Sequence, residues 1–199
     1  MPFDEPKHVP LTRTQSALRG SNGLVRQSDT LIATISASRI IQAQHDFLTR
    51  QRHSLLNWAV DSALQITNAN KGNLQIADSR SGVLHIAAQR GFGQPFLDFF
   101  SFVHTGEAAC GKALETCERV IVEDVTESPI FHTTSALEVL LDAGVRAVQS
   151  TPLIGSSGTI LGMLSTHWPS ARHLSDQASV RLDILARTVG RWLELNPLA

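Results

Sequence analysis

Cysteine is scarce in this sequence, and neither sign of charge is in excess. The chain has 199 residues and two cysteines, Cys110 and Cys117, too few for the disulfide framework of a small secreted domain. Its 17 Lys+Arg and 18 Asp+Glu leave a formal net charge of −1, without the basic excess of a nucleic-acid-binding protein. No apolar run approaches the roughly 18–20 residues of a membrane helix. We therefore expect neither nucleic-acid nor membrane partners.

The N-terminus also lacks the pattern of a signal peptide, because Asp4, Glu5 and Pro6 stand where basic and then apolar residues are required. A cytoplasmic protein is the resulting expectation. Prolines and glycines are scattered among polar residues over 1–28, which predicts a disordered or extended lead-in. The hydrophobic content of 42% suffices for one core, so residues 29–197 are predicted to form a single domain, whose core region is about 45–195.

A helical pattern begins after three possible capping residues, Ser28, Asp29 and Thr30. Apolar residues then recur at helical spacing, first from Leu31 and again over 55–67. One bent helix and two separate helices both fit this pattern.

The middle of the chain alternates short strand and helix signals. The strand-like segments are 73–77, 83–87, 119–122, 145–154 and 159–168, and the short helical ones are 92–103, 108–117 and 135–143. Turn-rich residues 78–82 and 155–158 join neighbouring strands as hairpins. This order predicts an α+β domain with a mainly antiparallel sheet.

The last helix is predicted from Ser175, as N-cap, to Leu195. Its apolar residues repeat with spacing 4-3-4-3, which is typical of a coiled-coil seam, so this helix could pack on the first helix or on a second subunit. For a homodimer, the predicted interface consists of Leu31, Ile35, Leu182, Leu185, Val189 and Trp192.

Five segments in order resemble the GAF domain family, the small-molecule sensing modules of bacterial signalling proteins. They are Ala69-Asn70-Lys71-Gly72-Asn73-Leu74-Gln75, Ala88-Gln89-Arg90-Gly91-Phe92, Ala109-Cys110-Gly111-Lys112-Ala113, Val122-Glu123-Asp124-Val125, and Thr151-Pro152-Leu153 with Leu161-Gly162-Met163-Leu164. The type that precedes histidine kinases is the most similar. The resemblance implies a six-stranded, mainly antiparallel sheet, with the terminal helices on one face and a loop-roofed ligand pocket on the other.

One branch of the family reduces free methionine sulfoxide, and Cys110 resembles its resolving cysteine. The nucleophilic cysteine of that branch would fall near residues 129–136, where this sequence has none. We therefore predict no catalytic residue.

Phytochrome GAF domains provide a more distant resemblance, at 137–140 and 144–147. The histidine that lies beneath the bilin in that group is replaced here by Ala136, and no attachment cysteine is nearby, so covalent bilin is not expected. Haem would need an axial ligand such as His104, His132 or His167. Zinc ligation by Cys110 and Cys117 with His104 and His132 lacks a zinc-site spacing. No metal is predicted, and the cofactor stays open.

Taken together, the resemblance implies a stand-alone sensory module that binds a small molecule and relays occupancy through dimer helices to a histidine kinase or response regulator. A ligand-free dimerisation or adaptor module is the alternative, and thiol-dependent reduction is a third reading. The predicted ligand-binding residues are Phe92, Phe96, Phe99, Cys110, Phe131, Val139, Val148, Ser150, Met163, Ser165 and His167.

Overall fold

The computed structural model describes residues 17–78 and 80–197, and the chain divides into two units, 1–50 and 51–199, which are taken separately. One helix, α1, spans Ala17–Thr67 and thus begins in the first unit. It takes in residues 17–28, which the sequence had predicted to be extended. No proline interrupts the chain between Pro10 and Pro95, and Gly20 and Gly23 weaken a helix without ending it. The rest of the predicted lead-in, 1–16, lies outside the described residues.

In the first unit, apolar side chains of α1 are in contact with solvent. Ile41 is 66% exposed, Phe47 54% and Leu48 60%. The side chains of Leu31 and Ile35, predicted for the dimer interface, lie outside the described residues. Within the part of the chain that the structure describes, none of the helices has the length and apolar content required to cross a bilayer.

The second unit is built on an antiparallel sheet with strand order β2-β1-β5-β4-β3. The strands are β1 Lys71–Ala77, β2 Leu84–Arg90, β3 Val120–Val122, β4 Ala147–Ile154 and β5 Ile160–Trp168. The α+β class is confirmed, but the described residues form five strands and not the six that the family resemblance implied. The sequence itself offers five segments of strand character, and the last of the sheet order, β3, is only three residues long.

Four further helices complete the unit. They are α2 Gln94–Phe99, α3 Ala108–Thr116, α4 Ser135–Asp142 and α5 Asp176–Leu195. As predicted, Ser175 caps α5, because its side chain accepts a hydrogen bond from the backbone N–H of Ala178. After α4 the chain turns at Gly144 with φ 69°, a left-handed conformation that glycine adopts without strain.

Two apolar clusters lie on opposite faces of the sheet. Since successive side chains of a strand point to opposite sides, β1 directs Leu74 and Ile76 to one face and Asn73 and Gln75 to the other. We call the first the helix face, because residues 56–63 of α1 and the length of α5 pack there. We call the second the roof face, because α2, α3 and α4 cover it.

The helix face explains the apolar seam of α5. Leu182, Leu185 and Val189 are buried in this cluster, at 0%, 6% and 1% exposure. In place of the predicted contact with a second copy, these side chains therefore pack within their own chain, the other arrangement that the sequence allowed. A partner could reach Trp192, which is half-buried, and Ile184, which is 56% exposed.

Candidate functional site

Phenylalanine side chains from α2 and its flanking loops form the roof. Phe92 stacks on Phe96 with ring centroids 3.6 Å apart, and Phe96 contacts Phe100 at 4.6 Å. The three rings are at most 8% exposed. Pro95 in the first turn of α2 favours the start of this short helix, since a proline there lacks only an N–H that would have no partner.

Beneath this roof lies a cavity of about 20 Å³, enough for one or two water molecules. Its floor is polar, because β1, β4 and β5 each direct hydrogen-bonding side chains to this face. The lining residues are Asn73, Gln75, Phe96, Phe100, Ala108, Ala109, Cys110, Phe131, Leu140, Val148, Ser150, Ser165 and His167.

Part of this polar floor is internally satisfied and part is not. The hydroxyls of Ser150 and Ser165, neighbours in the register of β4 and β5, are 2.8 Å apart and share a hydrogen bond. By contrast, Asn73 Oδ1, both amide atoms of Gln75 and His167 Nδ1 are buried without a partner among the described residues. These three residues are at most 4% exposed, so bulk water does not reach them freely. The cavity therefore offers unused donors and acceptors to whatever enters it.

The two titratable groups of the cavity are both held uncharged. Burial, the main cause, lowers the pKa of His167 to about 3, so its imidazole is neutral at physiological pH. Phe92 contacts the same ring edge-on at 5.0 Å. Burial likewise raises the pKa of the Cys110 thiol to about 11. At neutral pH, the cavity thus presents dipoles rather than charges.

A larger cleft of about 530 Å³ adjoins the cavity on the outer side of the roof. Phe100 and Ala108 line both spaces and therefore belong to the wall between them. Phe99, at 40% exposure, lines the cleft but not the cavity. Of the two residues in the wall, only Phe100 has a side chain that can change its conformation.

Seven of the predicted ligand-binding residues line the cavity: Phe96, Cys110, Phe131, Val148, Ser150, Ser165 and His167. The other four do not. Phe99 lines the cleft, while Phe92, Val139 and Met163 pack in the roof-face cluster. Asn73 and Gln75 also line the cavity but were not predicted from the sequence. Their alternation with Leu74 and Ile76 was the available signal, and it is also typical of a strand with a solvent-exposed face.

A separate hydrogen-bond network occupies the helix face of the sheet. Gln149 donates to Thr166 Oγ1 at 3.0 Å and accepts from Thr151 at 2.7 Å. Arg119 donates to Thr151 at 2.8 Å and pairs with Asp183 of α5 at 2.5 Å. This network joins β4 and β5 to α5.

Other polar and cysteine side chains outside the cavity have structural partners or spacings that fit no site. Arg146 pairs with Asp124 at 2.6 Å, and this guanidinium is the main reason that the pKa of Asp124 lies far below its usual value. Cys117 caps the C-terminus of α3, seven positions after Cys110. At about 1.5 Å per residue, that separation along a helix exceeds the reach of a disulfide. Among the described residues, no three His, Cys, Asp or Glu side chains are arranged to hold a metal ion.

A sequence model of the GAF domain matches residues 49–194. The chain belongs to the GAF domain family. The match covers all five strands, the last part of α1 and nearly all of α5, so the roof and floor of the cavity are parts of the GAF fold.

Solved structures of other GAF-like proteins superpose on this chain. A domain assigned to a two-component sensor histidine kinase from Sinorhizobium meliloti has 17% identity and a TM-score of 0.60, covering 71% of this chain and 90% of that one. The GAF domain of a phosphoenolpyruvate-protein phosphotransferase from Coxiella burnetii has 17% identity and a TM-score of 0.60, covering 75% and 90%.

A free methionine-R-sulfoxide reductase from Neisseria meningitidis has 20% identity and a TM-score of 0.58, covering 72% of this chain and 78% of that one. A search of curated proteins returns no significant match. At these identities, the similarity establishes the GAF fold.

Proposed function

We propose that this GAF domain is a sensory module that binds a small molecule in the roof-face cavity. The observation that carries the proposal is the set of unpaired polar atoms of Asn73, Gln75 and His167 around that cavity. Leaving a buried donor or acceptor without a partner costs about 1–3 kcal/mol. A domain that served only to hold its fold together would gain stability from apolar side chains at these positions.

The cavity as described is too small for a ligand of many atoms, so binding requires the roof to move. The adjoining cleft provides the space, and Phe100 separates the two. A ligand shifts this equilibrium only by its difference in affinity for the closed and open forms. Occupancy and roof position are therefore coupled in this proposal.

A route for relaying occupancy leads from the cavity to α5. Ser150 and Ser165 on the roof face precede Thr151 and Thr166, which belong to the hydrogen-bond network on the helix face. Arg119 connects that network to α5 through Asp183. We propose that a change at this helix reaches a partner protein, such as a histidine kinase or response regulator, in the context of a homodimer.

Native and denaturing mass spectrometry of the purified protein tests the binding proposal. We expect additional mass under native conditions that is lost on denaturation, and the same measurement gives the oligomeric state. The Gln75→Met variant should lose the additional mass. Gln65→Met, which changes an exposed glutamine of α1, should keep it.

A bare mass for the unmodified protein, together with no thermal stabilisation by a library of small metabolites, would contradict the proposal. That result would support the alternative of a ligand-free dimerisation or adaptor module. The exposed apolar side chains of α1, Ile41, Phe47 and Leu48, are the feature that favours this alternative.

Thiol-dependent reduction is the less favoured third reading. A reactive thiol is exposed and has a lowered pKa, whereas Cys110 is buried and its pKa is raised to about 11. Cys117 is exposed but too far along α3 to act as its resolving partner. Rapid alkylation of Cys110 at neutral pH would reverse this assessment.

A further inference from the structure

If the cavity binds a small molecule, as proposed above, the chemistry of its lining residues also restricts which class of molecule can bind. The polar residues that line it are Asn73, Gln75, Cys110, Ser150, Ser165 and His167. None of these described lining residues is a carboxylate, a lysine or an arginine. A charged ligand enclosed here would therefore have no opposite charge in contact with it. Removing an ion from water without such a partner costs several kcal/mol.

The unpaired atoms also specify a hydrogen-bonding pattern. Asn73 Oδ1 and Gln75 Oε1 are acceptors, so they require N–H or O–H groups from the ligand. Gln75 Nε2 is a donor and requires an acceptor. The Cys110 thiol interacts with the Gln75 amide, but neither amide atom has a hydrogen bond of regular geometry. Gln75 can therefore form a paired, two-bond contact with a group that has a donor and an acceptor side by side.

The first turn of α3 gives a second indication of where the ligand's acceptor would lie. Ala108, Ala109 and Cys110 line the cavity and begin this nine-residue helix. The first backbone N–H groups of a helix have no partner within it and attract partial negative charge. Glu107 at the N-cap already places a carboxylate beside this helix end. A carbonyl oxygen suits this position without bringing a second full charge.

We infer that the cavity selects a small uncharged molecule with an adjacent donor and acceptor, such as a carboxamide, urea or lactam, admitted from the outer cleft past Phe100. The apolar part of such a molecule contacts Phe96, Phe100 and Phe131. These rings close the cavity opposite its polar floor.

Three probes of nearly equal size and shape test the charge selectivity: acetamide, acetate and acetamidinium. Each is titrated into isotopically labelled protein, and side-chain and backbone amide NMR signals of Asn73, Gln75 and Cys110 report binding at the cavity. We expect acetamide to bind at millimolar concentrations and at least tenfold more tightly than either ion. The Gln75→Met variant should lose this binding, while Gln65→Met should retain it.

The Phe100→Ala variant tests the entry route with a larger matched pair, benzamide and benzoate. Removing this ring should connect cavity and cleft, so benzamide should bind the variant at least tenfold more tightly than the unmodified protein, with benzoate much weaker. Thermal unfolding and the NMR spectrum establish that each variant is folded before binding is compared.

Two outcomes would overturn the inference in distinguishable ways. If acetate or acetamidinium shifts the cavity signals as strongly as acetamide does, the ligand class is wrong while the proposed sensory function stands. If no probe perturbs these residues in either protein, and the purified protein also has no additional mass, both the ligand class and the proposed function fail.

Discussion

The two faces of the central sheet treat buried polar groups in opposite ways. On the helix face, Gln149 is fully buried and both of its amide atoms are hydrogen-bonded. On the roof face, Gln75 is equally buried and both of its amide atoms are unpaired. The residue type, strand environment and burial are matched, so the difference lies in the hydrogen-bonding neighbours that each face provides.

The satisfied face joins the elements that it connects, and under the function proposed above the unsatisfied face is the one that binds the ligand. Buried polar groups that are fully bonded specify one arrangement of the elements they connect, here β4, β5 and α5. Buried polar groups without a hydrogen-bond partner lower the stability of the fold, and this cost is removed only when another molecule supplies the missing hydrogen bonds. The comparison suggests three experiments, each of which changes one face and leaves the other intact.

The largest effect is expected at the apolar part of the helix face. Leu182→Ala should reduce the free energy of unfolding by about 2–5 kcal/mol, because it removes a fully buried side chain and leaves a cavity. Ile184→Ala on the same helix, where the side chain is 56% exposed, should change it by less than about 0.5 kcal/mol. Chemical denaturation of both variants measures this difference. Equal losses would place the buried surface of α5 elsewhere.

The matched glutamines should respond with opposite sign. Gln149→Met removes the donor to Thr166 Oγ1 and the acceptor for the Thr151 hydroxyl, and it should destabilise the protein by about 1–3 kcal/mol. Gln75→Met removes two amide atoms whose one interaction is with the Cys110 thiol and which have no hydrogen bond of regular geometry, so we expect no loss of stability in the ligand-free protein and up to about 1 kcal/mol of gain. Urea titrations of the two ligand-free variants measure the change in the free energy of unfolding for each substitution. A loss at Gln75 equal to that at Gln149 would mean that the roof face is internally satisfied.

Over a single pH unit, the smallest effect is that of the buried imidazole of the roof face. The ordinary pKa of histidine is 6.5, and in the folded protein the pKa of His167 is about 3. Between these values the unfolded chain binds a proton that the folded protein does not. The free energy of unfolding therefore decreases as pH falls from 6.5 toward 3, by about 1 kcal/mol per pH unit.

The His167→Gln variant isolates this contribution, because carboxylates elsewhere titrate in the same range. Its free energy of unfolding should depend less steeply on pH between 6 and 4 than that of the unmodified protein. His132→Gln, at an exposed position, provides the control. Lys71, close enough to disfavour the charged imidazole, is unchanged in both variants. Parallel pH profiles for all three proteins would show that His167 is not held neutral by burial.

Most of the fold could be predicted from the sequence. Strand-like segments separated by turn residues marked the strands, Ser175 was recognisable as a cap, and five short segments in order indicated the GAF family. Local signals misplaced the start of α1, because Gly20 and Gly23 resemble loop residues although a helix tolerates them. The apolar repeat of α5 correctly predicted a buried stripe. It did not show whether the same chain or a second copy covers that stripe, because apolar periodicity is the same in both cases.

The cavity was only partly predictable for a related reason. His167 and Ser150 were found through the phytochrome resemblance, which aligns positions rather than contacts, and Ser165 was found because alternate residues of a strand share a face. Asn73 and Gln75 were missed because polar residues at alternate positions of a strand usually indicate a solvent-exposed face of the sheet. Only the packing of α2 and α3 shows that this face is covered. The unpaired state of their side chains depends on distances to every neighbour and has no sequence signature.

The position of β1 in the sheet also has a consequence for how the protein is made. This strand lies between β2, which follows it closely in the chain, and β5, whose paired residues Gly162–His167 are synthesised some 90 residues later. Until β5 emerges from the ribosome, one edge of β1 has no hydrogen-bonding partner and is open to pairing with other chains. Contacts so distant in sequence slow folding. The nascent chain should therefore be most prone to aggregation between completion of the first hairpin and synthesis of the second.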